Sequence, residues 1–149
     1  MEHTKFNHII PIQLRFNDFD VLGHVNNSVY FSFYDLGKTA YFNEVLPGLT
    51  TSKEVGVVIA NIQVSFLLPI YPEESVAVQT AVVEIGDKSF KLLQQLIDTE
   101  TNEVKCICQT IMVGFDAKTK TTRTINNDWR KAIADFEENM TLVGLSVSL

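Results

Sequence analysis

With only two cysteines in 149 residues, the chain cannot rest on a disulfide framework. Cys106 and Cys108 stand two apart in an alternating apolar run. Both side chains then project from one face of a strand, where a disulfide is geometrically awkward. Two thiols do not complete a zinc site either, so buried, reduced side chains are expected. His3, His8 and His24 share no ligand spacing, and no metal is expected. Positive charge is scarce: 12 Lys and Arg against 18 Asp and Glu leave a net charge of −6. That balance disfavours nucleic acid and anionic lipid as partners, and an anionic ligand must find a local basic patch. No run approaches the roughly 20 apolar residues of a membrane span. The opening MEHTKFNHII lacks the basic front and long apolar stretch of a signal peptide. A cytoplasmic chain without a membrane partner is expected. Charge blocks and low-complexity runs are also missing, and 46% apolar residues support one folded domain over residues 1–149.

What is present reads mostly as strand. HIIPIQLRF, residues 8–16, is a short strand that Pro11 pushes towards an edge. VVIANIQVSFLL (57–68), SVAVQTAVVEI (75–85), SFKLLQQLID (89–98) and VKCICQTIMVGF (104–115) are four further strands, and TTRTI is a candidate continuation. Between the first strand and the rest, SVYFSFYDLGKTAYFNE (28–44) places Tyr30, Phe33, Tyr34, Gly37 and Tyr41 at helical spacing. Phe31, Leu36 and Ala40 widen that face, so the helix is expected to be buried around most of its circumference. Gly37 costs about 1 kcal/mol against alanine in a helix interior, which makes sense if something packs closely there. A last helix, WRKAIADFEENM, follows a cap at Asn127 or Asp128, and the apolar tail TLVGLSVSL is expected to dock. Without alternating βα units, a doubly wound sheet is excluded. The expectation is an α+β fold: a curved antiparallel sheet of five to six strands around one long central helix, with a short C-terminal helix. Such a sheet leaves edges that pairing with a second copy would cover.

The chemistry concentrates in FNDFDVLGHVNNSVYF, residues 16–31. Gly23 can take a positive φ and turn the chain sharply. Asn26 or Asn27 can cap the helix beginning at Ser28. The first amides of that helix have no partners within it and sit at the positive end of its dipole. They suit a carbonyl oxygen that becomes an oxyanion. Asp20 lies across the turn, where a carboxylate can attack a carbonyl or activate water, and His24 between them is a candidate ligand contact or catalytic residue. Asp18 reads as a turn cap. Asp35 reads as a partner for Lys38 or, alternatively, as a second carboxylate for catalysis. Lys88, Lys91, Lys118, Lys120 and Arg123 gather around two turns and are candidates for holding phosphates.

RFNDFDVLGHVNNSVYFSFYDLGKTAYF resembles the signature of the hotdog-fold acyl-CoA thioesterases of the 4-hydroxybenzoyl-CoA thioesterase type. The pattern is an aromatic-x-Asp-x-Asp, a glycine, His-Val-Asn-Asn and an aromatic-rich helix. It covers residues 15–42 as motif and most of the chain as element order. The resemblance implies hydrolysis of an acyl-CoA to a free acid and CoA, with Asp20 as nucleophile or general base. It implies the Asn27 backbone amide as oxyanion donor and Gly23 and His24 as shapers of the loop. Ser89-Phe90 resembles the family's strand opening near the bound thioester, which implies Ser89 at the substrate. Tyr30 and Phe33 are candidates to line an acyl pocket where the helix start opens onto the cavity, and Lys91 is a substrate-binding candidate through the basic cluster. No cofactor is implied beyond CoA as part of the substrate, and a homodimer or homotetramer is. Two departures stand out: Lys38 where many relatives carry arginine, and Asp35 where they often carry glutamate. Lysine cannot reproduce arginine's bidentate grip. Hydrolysis of acyl carrier protein thioesters, or a non-catalytic hotdog module binding acyl or aromatic ligands, remain the alternatives.

Overall fold

Pro11 has no amide to donate, and it falls in a strand that hydrogen-bonds on one side only. A computed structural model describes residues 4–48, 56–137 and 141–142. In it β1 (His8–Ile12) forms one edge of the sheet and pairs with β3 (Val76–Ile85). The strand ends at Ile12 rather than Phe16, because residues 16–18 close a single 3-10 turn instead. Next come α1 (Val29–Val45), β2 (Val57–Phe66), β3, β4 (Ser89–Asp98) and β5 (Val104–Asp116). A two-residue β6 (Thr121–Thr122), α2 (Asn127–Phe136) and a two-residue β7 (Thr141–Leu142) complete the order. The sheet runs β1-β3-β4-β5-β2, all antiparallel, with β6 added to β5. One element departs from the antiparallel expectation: β7 pairs with β3 in parallel, at Glu84 and Ile85. The start of the tail therefore docks on the strand that also carries β1, and its remainder, residues 143–149, lies outside the described residues. This is the expected α+β hotdog, a curved sheet around one long helix.

The period of two along the strands divides the concave face into layers. Val78, Leu96 and Cys108 pack with Tyr30, Phe33 and Tyr34 near the start of α1. Val82, Leu92 and Met112 pack with Tyr41, Val45, Trp129 and Ile133 near its end. Between them Thr80, Gln94 and Thr110, each fully buried, form a polar layer. Gln94 Nε2 donates to the Tyr34 carbonyl and to Thr80 Oγ1, both at 3.0 Å. Gly37 lies over this layer. A β-carbon there would stand 2.8 Å from Gln94 Nε2 and 3.0 Å from the Val78 methyls, which is the close approach its helical cost implied.

α1 is not buried all round. Phe31 and Leu36 are 41% and 52% exposed, and Asp35 is exposed beside them. The reason is geometric: the sheet covers one flank of the helix, and β2, on that sheet's far edge, is itself exposed over most of its length. The Asp35 carboxylate pairs with the buried Lys38 ammonium at 3.3 Å, one of its two expected roles. Cys106 and Cys108 are free and buried, and burial pushes the Cys106 thiol up to about 11. The cap of α2 is Asn126, one residue earlier than expected. Its side chain accepts from the Asp128 amide at 2.7 Å. The helix stops at Phe136 because Glu137 is extended, and residues 138–140 lie outside the described residues.

Candidate active site

Every turn of the 16–28 loop is tied by a side chain to a neighbouring amide. Asp18 Oδ2 accepts from the Arg15 amide at 2.8 Å, and its carbonyl accepts from the Asn26 amide at 2.9 Å, so Asp18 is the turn cap its spacing suggested. Gly23 takes φ +85°, the left-handed conformation that lets the chain reverse between Asp20 and His24. The reversal is closed by Gly23 N–H to Asp20 O at 3.0 Å and Asp20 N–H to His24 O at 3.3 Å. Val25 is buried, bridges to Phe19, and donates its amide to the Ile70 carbonyl at 2.9 Å.

Asp20 is half-buried. Its Oδ1 accepts from the Leu22 amide at 2.9 Å and its Oδ2 from Asn26 Nδ2 at 3.4 Å. The same Asn26 side chain turns its oxygen the other way, accepting from the Ser28 amide at 3.0 Å and Ser28 Oγ at 2.8 Å. Asn26 therefore joins the carboxylate to the start of α1. Neither asparagine is the cap the sequence suggested. α1 begins at Val29, its N-cap position is Ser28 with no side-chain cap bond, and Asn26 instead closes an Asx turn onto the Ser28 amide just before the helix. Asn27 is exposed, and among the described residues its amide takes no hydrogen bond. Asn27 immediately precedes Ser28, the N-cap position of α1, near the positive end of the helix dipole.

Asn27 and His24 line a groove of about 300 Å³ with Tyr30 and residues 66–69. His24 is half-buried, with Nδ1 3.5 Å from the Val25 carbonyl. Tyr30 is buried, and burial pushes its phenol up to about 12. His24, Asn27 and Tyr30 thus share one groove; Gly23 and Asp20 are not in its lining, Asp20 being tied to the start of α1 through Asn26. Ser89 and Lys91 stand elsewhere. Ser89 is buried at the start of β4, next to Phe90, which packs on Trp129 and Phe42 at the far end of α1. Lys91 pairs with Glu84 at 3.1 Å. The basic turns gather at that far end: Lys88 O accepts from the Gly114 amide, and Gly114 O accepts from the Arg123 amide.

Sequence reasoning missed the 66–69 wall, because a regular strand through Leu68 would have hidden alternate side chains. It also missed Lys105. Glu74, Asp98 and Glu103 bring carboxylates within 4.8 Å of one another. The buried Lys105 ammonium reaches Glu74 at 2.6 Å and Glu103 at 3.9 Å, so this acidic group already holds a protein cation.

The sequence profile of the thioesterase-like superfamily matches residues 14–140. A Thermus thermophilus thioesterase, solved in complex with coenzyme A and Zn, is 26% identical, with a TM-score of 0.77 over 89% of this chain and 95% of that one. A 1,4-dihydroxy-2-naphthoyl-CoA thioesterase from Synechocystis shares the fold at 15% identity, TM-score 0.77, over 85% of this chain and 95% of that one. In sequence, the uncharacterized protein YsmA of Bacillus subtilis is 26% identical over 89 residues, 60% of each chain.

Proposed function

The chain belongs to the thioesterase-like superfamily, and from that premise we propose that it hydrolyses an acyl-CoA thioester to a carboxylic acid and CoA. The observation that carries this reading is Asn27, just before α1 and with an amide that donates no hydrogen bond among the described residues, in one groove with His24, next to the Asn26 side chain that links Asp20 to Ser28. The thioester carbonyl accepts from that amide. Asp20 takes a proton from water as hydroxide adds to the carbonyl carbon, or its own oxygen adds first, giving an acyl–Asp20 anhydride that water hydrolyses after the thiolate has left. Negative charge gathers on the carbonyl oxygen, where a preorganised donor lowers the barrier by about 3 kcal/mol. Collapse breaks the C–S bond, and the CoA thiolate leaves and takes up a proton. The Leu22 and Asn26 hydrogen bonds hold the Asp20 carboxylate in orientation. No resident cofactor is drawn on, because a thioester is already an activated acyl group. The coenzyme A carried by the Thermus relative supports CoA as the leaving group.

The reading extends to assembly. The outer edge of β2 has no strand beside it among the described residues, and Val58, Ile59 and Ile62 on it are 41%, 45% and 37% exposed. A second copy pairing there gives a homodimer, or a homotetramer built from it. Ser89, Lys91 and the basic turns then serve the site from the neighbouring copy. Among the described residues no helix is long and apolar enough to cross a membrane, and the proposed setting is the cytoplasm. The test is a panel of acyl-CoA and matched carrier-protein thioesters with wild type and Asp20→Ala. A folded Asp20→Ala protein that keeps wild-type turnover sinks the mechanism, and a preference for carrier-protein thioesters replaces CoA as the carrier.

A further inference from the structure

The groove beside Asn27 has two ends of different chemistry. At one end are Asn27 and His24. The other end is apolar, with Tyr30 and three consecutive residues, Phe66, Leu67 and Leu68, that are 49%, 51% and 40% exposed. In a regular strand, consecutive side chains point to opposite faces. Here the Leu67 and Leu68 amides both donate to the Lys105 carbonyl, at 2.9 and 3.0 Å. This two-against-one bulge re-aims the side chains so that both leucines line the groove. The shelf is built in from both sides. Lys105 is buried and clamped by Glu74, whose second oxygen holds the Tyr71 amide at 2.7 Å. On the loop side, Val25 bonds to Ile70, and Tyr30 packs edge-on against Phe66 at 5.1 Å.

Three adjacent exposed apolar side chains, fixed in place and continuous with a polar corner, mark a ligand surface. Its volume of about 300 Å³ is at the small end of ligand sites and cannot hold the nucleotide of CoA. Resting on the hydrolytic reading above, we infer that this shelf receives the acyl group, that the substrates are thioesters of neutral aliphatic acids, and that Phe66 sets the chain length. Phe66, Leu67, Leu68 and Pro69 offer no charge and no side-chain donor or acceptor. A carboxylate or a phenolic hydroxyl buried among them would lose its water without replacement.

The test is kcat/KM of the full chain on straight-chain acyl-CoAs from acetyl to dodecanoyl, with succinyl-CoA and 4-hydroxybenzoyl-CoA alongside. Wild type and Phe66→Ala are compared, and the same acyl series is titrated as non-hydrolysable thioethers by calorimetry. Each added methylene is expected to raise kcat/KM by about fourfold until the shelf is full. Succinyl-CoA is expected at least roughly tenfold below butyryl-CoA, and Phe66→Ala moves the optimum to longer chains. A flat chain-length profile overturns the inference, as does a preference for the carboxylated or hydroxylated acyl group. So does a Phe66→Ala variant that scales all substrates equally while weakening self-association. If thioethers bind in chain-length order but no thioester is cleaved, the acyl shelf stands and hydrolysis falls. Thioethers that bind without regard to chain length overturn the shelf whatever the rates show.

Discussion

Asn26→Asp isolates the link between the carboxylate and the helix start. The substituted side chain keeps an oxygen to accept from the Ser28 amide and hydroxyl, so the turn leading into α1 survives. What it loses is the Nδ2 donor that now stands 3.4 Å from Asp20 Oδ2, and it puts a second carboxylate in its place. Two negative charges at that distance repel by about 1 kcal/mol at the dielectric of water and about 5 kcal/mol at an effective value of 20. Both residues are half-buried, so solvent screening holds the result towards the lower figure. With about 1.4 kcal/mol per pH unit, the acid limb of the pH–rate profile is expected to move up by about one to two units. Activity should be depressed in acid and recover in alkali, with the thermal midpoint close to wild type. The assay is kcat/KM against pH on the best acyl-CoA, followed by release of free thiol, with thermal unfolding in parallel. A variant profile that superimposes on wild type refutes Asp20 as the group whose ionisation drives the reaction.

Gly37→Ala gains about 1 kcal/mol of helix propensity but drives a methyl into Gln94 and Val78. Overpacking of this kind costs about 1–3 kcal/mol, and Gln94 loses its bonds to Tyr34 and Thr80, so urea denaturation should show a net loss. A variant as stable as wild type would disprove the close approach. Glu137 is buried, accepts from the Val82 amide at 2.7 Å and from the Tyr41 hydroxyl at 2.9 Å, and burial raises its carboxyl above the usual range. Its folded state therefore holds the proton more tightly than the unfolded chain. Its contribution is full below the ordinary carboxylate value and declines as pH rises through the raised one. Glu137→Gln keeps the acceptor and should remove that slope from unfolding free energy measured against pH. Glu137→Leu strands two buried donors and should lose about 1–3 kcal/mol for each. Ile62→Lys on the outer edge of β2 should shift the protein to monomer in sedimentation velocity; unchanged association would exclude that edge as the contact.

The element order was legible because the strands carry a period of two and the helix a period near 3.6. Ser89–Asp98 falls where its flanking turns put it. The loop was legible as chemistry because glycine, aspartate and asparagine have few reasons to crowd together. The division of labour between Asn26 and Asn27 was not legible. Both residues cap well in principle, yet the N-cap position falls at Ser28, and only the fold shows that Asn26 reaches back to Asp20 while the Asn27 amide donates no hydrogen bond among the described residues. The exposure of α1 on one flank was misjudged for a related reason: a periodicity counts apolar positions but does not say how many are covered within one chain.

Local interactions travel with the sequence. Turn glycines, caps and strand periods act over a few residues, so the chain alone determined a curved sheet, one long helix and a polar loop at that helix's start. Contacts between distant segments do not travel that way. Only the tertiary structure set Leu67 and Leu68 together on one carbonyl of β5, brought Ile70 to Val25, and placed Ser89 and Lys91 at the opposite end of α1 from Asn27. Those choices rest on sheet register and on a bulge, where a shift of one residue exchanges the faces of every side chain that follows.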